Sequence, residues 1–268
     1  MTRYCEIRKA NPFLAASGSP ICWWDVMARM KRLDEMTSKE FAETVDGKTI
    51  VILPMGIIEE HGPHLPLCTD SLQAEHLAER LAQRFGALVL PPLRYGNSSS
   101  TIGFPGTISL SFDTIRALVK DIVSELVRNG VRKVMVLSSH AGSGHLCAIR
   151  EAVKDVVIEA DGRGIVVRGL VVSDYEVLYG LTDRGIDPRD GHAGDMETSR
   201  VMVLRPGLVK NRSQAKDSTK KIPDFLVIAH PEKEWTGIRG FPSKASKKKG
   251  QMLEDMAFEE ISKLMRTL

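Results

Sequence analysis

Leu53-Pro-Met-Gly-Ile-Ile-Glu-Glu-His-Gly-Pro-His-Leu-Pro-Leu-Cys-Thr-Asp70 is the stretch on which the reading of this chain turns. The apolar run before it, Thr49 to Leu53, reads as a buried strand. Ser71 to Phe85, after it, reads as a helix that Gly86 stops. Between the two lie Glu59, Glu60, His61, His64 and Asp70, all of residue types that bind metals. Gly56, Gly62, Pro63 and Pro66 hold the segment off any regular path. A strand that ends in such a loop is where open α/β sheets carry their sites.

Outward from there, strands and helices alternate. Ala87 to Leu90 reads as a short strand, and Pro91 to Thr107 as a long loop of the functional kind. Ser111 or Asp113 caps a helix that runs to Asn129-Gly130. The strand Lys133 to Leu137 ends at Ser138-Ser-His-Ala-Gly-Ser-Gly-His145, and a helix follows to about Ala160. Ile165 to Val172 is the next strand, and Asp174 to Arg189 reads as a connecting loop. Gly191-His-Ala-Gly-Asp-Met-Glu-Thr-Ser199 opens a helix over Asp195 to Leu204. Residues 205–250 are irregular, and Gln251 to Leu268 is an amphipathic helix. Upstream, Trp23 to Leu33 has helical spacing, and Thr37 with Glu40 has the form of a capping box. Residues 1–36 read as an N-terminal extension. The alternation predicts an α/β fold, with a mostly parallel central sheet between helical layers. Right-handed crossovers then put the strand C-termini on one edge, so the loops at 56–70 and 138–145 meet there.

With 268 residues, 43% of them hydrophobic, the chain suffices for one large domain over 1–268. The net charge of +3 is scattered, which gives no argument for nucleic acid. The densest basic run, Lys244 to Lys249, reads as a solvated loop. No apolar run approaches the ~20 residues of a membrane span. The four cysteines form no CxxC pair and Met1 to Ala10 has no apolar signal core, so the expected place is the cytoplasm. Cys68 reads as a small buried residue.

Carboxylate and imidazole donors together suit Zn, Mn or Fe(II) better than Mg or Ca. Glu59 and His61 can face one cavity only if the loop between them bends, because alternate residues of an extended segment point apart. A carboxylate such as Asp70 can bridge two metals a few Å apart. Taken singly, several of these residues have plainer readings. His64 reads as a structural histidine, His145 as a helix-start group, His76 and His230 as surface residues, and Glu60 as a solvated or supporting carboxylate. Three Gly-rich His/acid clusters at corresponding loop positions are what point to a metal centre.

These stretches resemble the creatininase (creatinine amidohydrolase) family. LPMGIIEEHGPHLPLCTD looks like its opening motif, LPxGSxEQHGPHLPLxTD. PPLRYGNSSSTIGFPGTISL resembles its Pro-Tyr-Gly loop and FPGT element, and SSHAGSGH stands at its NGHGGN. GHAGDMETS matches HAGxxETS, and GIRGFPSKASKKKG resembles the tail GVxGDPxxAxxxKG. The resemblance implies a three-layer α/β/α sandwich, a homo-oligomer that is often a hexamer, and two divalent metals (Zn, Mn or Fe(II)) per site. By position, Glu59, Asp70 and His140 resemble the ligands of one metal, and His61 with a bridging Asp70 those of the second. His192 and Glu197 match residues that assist proton transfer and orient substrate or water. The chain departs from creatininase itself at Gly142, where a ligand Glu stands, at Pro188, where a substrate-covering Trp stands, and at Ser138-Ser139, which replaces Asn-Gly. Other members carry an acid after HAG, and here Asp195 would complete the second metal site. The implied function is metal-dependent hydrolysis of a non-peptide C–N bond, cyclic amide or formamide, in a small molecule by metal-bound hydroxide. The alternatives are deformylation of a pyrimidine nucleotide of flavin or deazaflavin synthesis, peptide trimming in redox-cofactor maturation, and a non-catalytic metal-binding relative. The nucleotide reading needs a phosphate site, for which Arg94, Arg184 and Arg189 are the candidates.

Overall fold

The computed structural model describes residues 31–223 and 226–268. Five strands form one sheet: β1 (Lys31–Arg32), β2 (Ile50–Met55), β3 (Leu88–Val89), β4 (Lys133–Ser138) and β5 (Arg168–Ser173). Their order is β1-β3-β2-β4-β5, and every neighbouring pair is parallel. The helices in chain order are α1 (Ser38–Thr44), α2 (Thr69–Phe85), α3 (Phe112–Arg128), α4 (Ser143–Asp161), α5 (Asp174–Tyr179), α6 (Asp195–Leu204) and α7 (Lys247–Met265).

The strands are apolar on both faces because helices cover both. On one face Val51, Leu53 and Met55 of β2 and Val134 and Val136 of β4 pack against Ile115, Val119 and Val123 of α3 and Ile149 and Val156 of α4. On the other, Ile52, Met135 and Leu137 pack against Leu77 and Leu81 of α2 and Leu253 and Ile261 of α7. The period-two alternation of β2 thus feeds two cores and makes three layers.

The register of β2 against β4 pairs Met55 with Ser138, so both strands release their loops at one edge. Gly56 permits the first step of the loop after β2, because a Cβ there would lie 2.3 Å from the backbone nitrogen of Ser71. Ser111 caps α3 by accepting from the Thr114 backbone N–H at 3.2 Å. Ser111→Ala is expected to cost about 1 kcal/mol of stability, read as a lower urea midpoint at unchanged slope.

Thr37 and Glu40 form the expected capping box at α1. The larger departures from the sequence reading lie in four places. Lys31–Arg32 is a strand within the stretch read as helical, whose residues 23–30 lie outside the described ones. β5 begins at Arg168 rather than at residue 165. Asp174–Tyr179 is a short helix where a loop was expected, with Tyr175 and Leu178 buried in the second core. Of the lysine run, Lys247 to Lys249 form the first turn of α7 rather than a loop, while Lys244, Lys247 and Lys248 stay exposed. Lysines at a helix N-terminus oppose the helix dipole. Here Ser246 caps the helix, and Lys249 finds the buried carboxylate of Asp195.

Candidate metal centre

The bend that Glu59 and His61 require is present. The Glu59 backbone N–H donates to the Leu67 carbonyl at 3.0 Å, folding the loop back on itself. His61 then turns under Glu59, with its Nδ1–H donating to the Glu59 carbonyl at 3.0 Å. Its Nε2 points at Asp70 Oδ1 (3.0 Å) and lies 3.6 Å from Glu197 Oε2. His140, just past β4, is held in the same manner. Its Nε2–H donates to the Asn97 carbonyl at 3.0 Å, and Nδ1 faces Glu59 Oε2 (3.0 Å) and Asp70 Oδ2 (3.2 Å). Asp70, in the first turn of α2, therefore touches both imidazoles. Glu59 is held from its other oxygen by the hydroxyls of Ser98 (2.8 Å) and Thr101 (2.5 Å). All of these groups are buried.

The donor set fits divalent metal. Each histidine has committed one ring N–H to a backbone carbonyl, which aims the other nitrogen at carboxylates, as metal-binding histidines are commonly oriented. Glu59 Oε2 and Asp70 Oδ2 are buried, and each faces the same ring nitrogen, His140 Nδ1. Two donors each about 2.0–2.2 Å from one ion sit roughly 3–3.5 Å apart at tetrahedral angles, and the distances above are of that size. Glu59, Asp70 and His140 form one group that could share an ion, His61, Asp70 and Glu197 form a second, and Glu59, His61 and His192 form a third.

The electrostatics show how much positive charge the cluster calls for. Burial disfavours the His61 imidazolium, yet Asp70 and Glu197 outweigh it and push its pKa up to about 10. Burial also opposes the charged form of His140, and Glu59 and Asp70 override it, to well above the ordinary value. Burial would raise the carboxyl groups of Glu59 and Asp70, but the facing imidazoles hold both below their usual range. Protons or metal ions can meet this demand. By contrast, burial and the neighbouring His140 depress His145 to about 3, so it stays neutral, with Nδ1 facing the Asn97 N–H at 3.4 Å.

His192 stands beside this cluster. Its Nε2–H donates to the Glu60 carbonyl at 2.7 Å, and the Glu60 carboxylate lies 3.2 Å away. Glu60 is thus a buried partner of His192 and not a solvated group. The His192 ring lies 4.4 Å from that of His61 and 5.7 Å from Trp235, centroid to centroid. Ala193 has φ 51°, rare for a residue with a side chain, and its N–H donates to Glu197 Oε2 at 2.6 Å. Burial raises the Glu197 carboxyl above its usual range despite His61 and His192.

The structure does not bring Asp195 to the metal cluster. Its Oδ1 accepts from Ser199 at 3.0 Å and its Oδ2 pairs with Lys249. Glu197, expected to assist proton transfer or orient substrate, instead has Oε2 3.6 Å from His61 Nε2 and joins the donor group of His61 and Asp70. Two residues along an α-helix turn the side chain by roughly 200°, so only one of the two acids can face the centre. Gly142 leaves no acid there either, and a Cβ on it would lie 2.5 Å from His140 Nε2. Arg94, Arg184 and Arg189 are exposed and pair with Glu75, Glu260 and Asp187. Among the remaining histidines, His64 is buried against Thr198 at 2.8 Å, His76 is half-buried, and His230 is exposed. Cys68 is half-buried at the start of α2.

Several supporting residues carry no local signal. Asp190 accepts from the backbone N–H groups of Asp195, Met196 and Phe241, which fixes the turn into α6. Arg200, fully buried on α6, donates to Glu254 of α7 at 2.6 Å and to Asp174 at 2.8 Å. Asp174 also accepts from Ser139, next to His140, at 2.7 Å. Arg200→Met would leave two buried carboxylates without their cation. The expected loss is about 3–5 kcal/mol, read by calorimetry as a Tm lower by on the order of 10 °C. A loss below about 1 kcal/mol would show that this clamp does not hold α6 in place.

A cavity of about 380 Å³ opens on the cluster, lined among others by Glu59, Asp70, His140, His192, Glu197 and Trp235. Comparison with known proteins agrees with this arrangement. Residues 34–265 match the family Creatininase: Creatinine amidohydrolase. The chain is similar to creatinine amidohydrolase from Pseudomonas putida, 29% identical over 256 residues, spanning 90% of this chain and 98% of that protein. It is 26% identical to the mycofactocin precursor peptide peptidase of Mycolicibacterium smegmatis over 217 residues, 76% of this chain and 79% of that protein. Its fold superposes on a solved structure described as "Creatininase Mn" with a TM-score of 0.80 at 28% identity, covering 89% of this chain and 98% of that one. With the family pattern matched from residue 34 to 265, the chain belongs to the creatininase family of hydrolases.

Proposed function

We propose that this chain is a metal-dependent amidohydrolase that cuts a non-peptide C–N bond, in a cyclic amide or formamide, of a small molecule. The observation that carries the reading is Asp70, buried between His61 and His140 and shared by two groups of donors. Glu59, Asp70 and His140 would hold one divalent ion; His61, Asp70 and Glu197 would hold the other. The metal is Zn, Mn or Fe(II) by the chemistry of the donors. When bound, such a pair supplies Lewis acidity to a carbonyl oxygen and to a water molecule.

The chain's own residues do the rest. The Glu60 carbonyl and carboxylate hold His192 by Nε2, which leaves Nδ1 as the atom that hands a proton to the departing nitrogen. Trp235 packs on the His192 ring and fixes its plane. Ser98 and Thr101 keep Glu59 oriented.

The test is elemental analysis of protein purified without chelator, followed by a screen of lactams and formamides. About two ions per chain with hydrolysis of at least one class supports the reading. No metal even after loading, and no turnover, would leave a non-catalytic relative. We also take the protein to be a homo-oligomer. Tyr95, Ile102, Ile108 and Phe112 leave apolar surface exposed along one segment, of the kind a second copy covers. Light scattering that shows only monomer would overturn that part.

A further inference from the structure

The cavity that holds the acids is also lined by Arg239 and Tyr179. Arg239 is half-buried, and its guanidinium makes no hydrogen bond or ion pair with any described residue. Every other buried or half-buried arginine among the described residues donates to a protein carboxylate or carbonyl. A cation taken partly out of water without a partner is unfavourable, so a pocket that keeps one is built for an anion.

The backbone and stem of Arg239 are held in place. Its backbone N–H donates to the His192 carbonyl at 2.8 Å. Its aliphatic stem lies on Gly191, where a Cβ would come within 3.3 Å of Cδ and 3.5 Å of Cγ. Gly191 therefore makes room for the stem, and Arg239 lines the cavity beside the residue that flanks the metal cluster. A substrate held there would be oriented by its own charge distribution, with its negative group at Arg239.

We propose that Arg239 is the specificity-determining residue of this site and that the substrate is a small amide carrying an oxyanion group, carboxylate or phosphate. The inference rests on the amidohydrolase reading for the word amide, and on Arg239 alone for the anion. A cavity of about 380 Å³ is at the small end for ligand sites, in keeping with a molecule of one ring or its open-chain equivalent.

The test uses pyrrolidinone and pyroglutamate, the same lactam ring without and with a carboxylate. Each is titrated calorimetrically into the full chain, with and without metal loading, as wild type, Arg239→Met and Arg239→Lys. Wild type is expected to bind pyroglutamate about tenfold or more tightly than pyrrolidinone. Arg239→Met should lose that preference and Arg239→Lys should recover part of it. Inorganic phosphate that displaces pyroglutamate from wild type supports the phosphate form of the class, and failure to displace it supports the carboxylate form. Equal affinity of wild type for the two lactams, absence of pyroglutamate binding, or a preference that survives Arg239→Met would overturn the proposal. An Arg239-dependent preference in protein that takes up no metal and turns over no amide would sink the hydrolase reading and keep the anion site. Metal uptake and turnover without that preference would do the reverse.

Discussion

Asp70→Ala protein is expected to come off the column with its metal gone and its activity lost together. Asp70 belongs to both of the donor groups proposed to hold an ion, so its removal takes a ligand from each. It also leaves His61 and His140 without the charge that faces them. A metal pair contributes several kcal/mol to stabilising charge in the transition state. Losing it should cut turnover by about a thousandfold or more. Metal per chain from elemental analysis should fall from about two to near none. Asp70→Asn, which keeps the shape of the side chain, separates this effect from a packing defect and should lose metal as well. Retained turnover in metal-free Asp70→Ala protein would refute the metal-dependent mechanism.

His192→Asn should leave the metal in place and slow the reaction. General acid catalysis by a positioned side chain is worth about a hundredfold to ten-thousandfold. We expect a fall of that size in kcat, measured on whichever lactam or formamide the wild type hydrolyses, with KM little changed. The reason is geometric. His192 lies near enough to Glu59 and His61 to form a third donor group with them, but its Nε2 is committed to Glu60 and it lies outside the two groups that Asp70 joins. Metal content equal to wild type is therefore part of the expected result. A fall in kcat of less than about tenfold would remove His192 from the proton-transfer role. Loss of metal in the variant would instead make it a ligand.

Much of this arrangement is legible in the amino-acid sequence. The alternation of apolar runs and helical patterns foretold parallel strands, and the parallel sheet follows it from β2 to β5. The convergence of the 56–70 and 138–145 loops needed only the rule that parallel strands share a C-terminal edge, and Met55 does pair with Ser138. The long loop after β3, read as functional by its length, supplies Ser98 and Thr101 to Glu59. Asp195 was misread for a definite reason. An acid after His-Ala-Gly is visible in the sequence, but the direction in which α6 faces is not. That direction is set by packing against α2 and α7 and by the Arg200 contacts with Glu254 and Asp174.

The sequence by itself determined the class of fold, the edge at which the loops meet, and the chemistry of the donors. Each of those follows from local pattern, or from a chirality rule that holds for any chain of L-residues. The tertiary structure alone decided that the polar helix α6 is buried, that Glu197 and not Asp195 faces His61, and that Lys249 leaves solvent for a buried carboxylate. It also decided that Arg239, unremarkable as the open position of a tail motif, borders the cavity beside His192. These are choices between faces of an element, and only the partners on either side of it can make them.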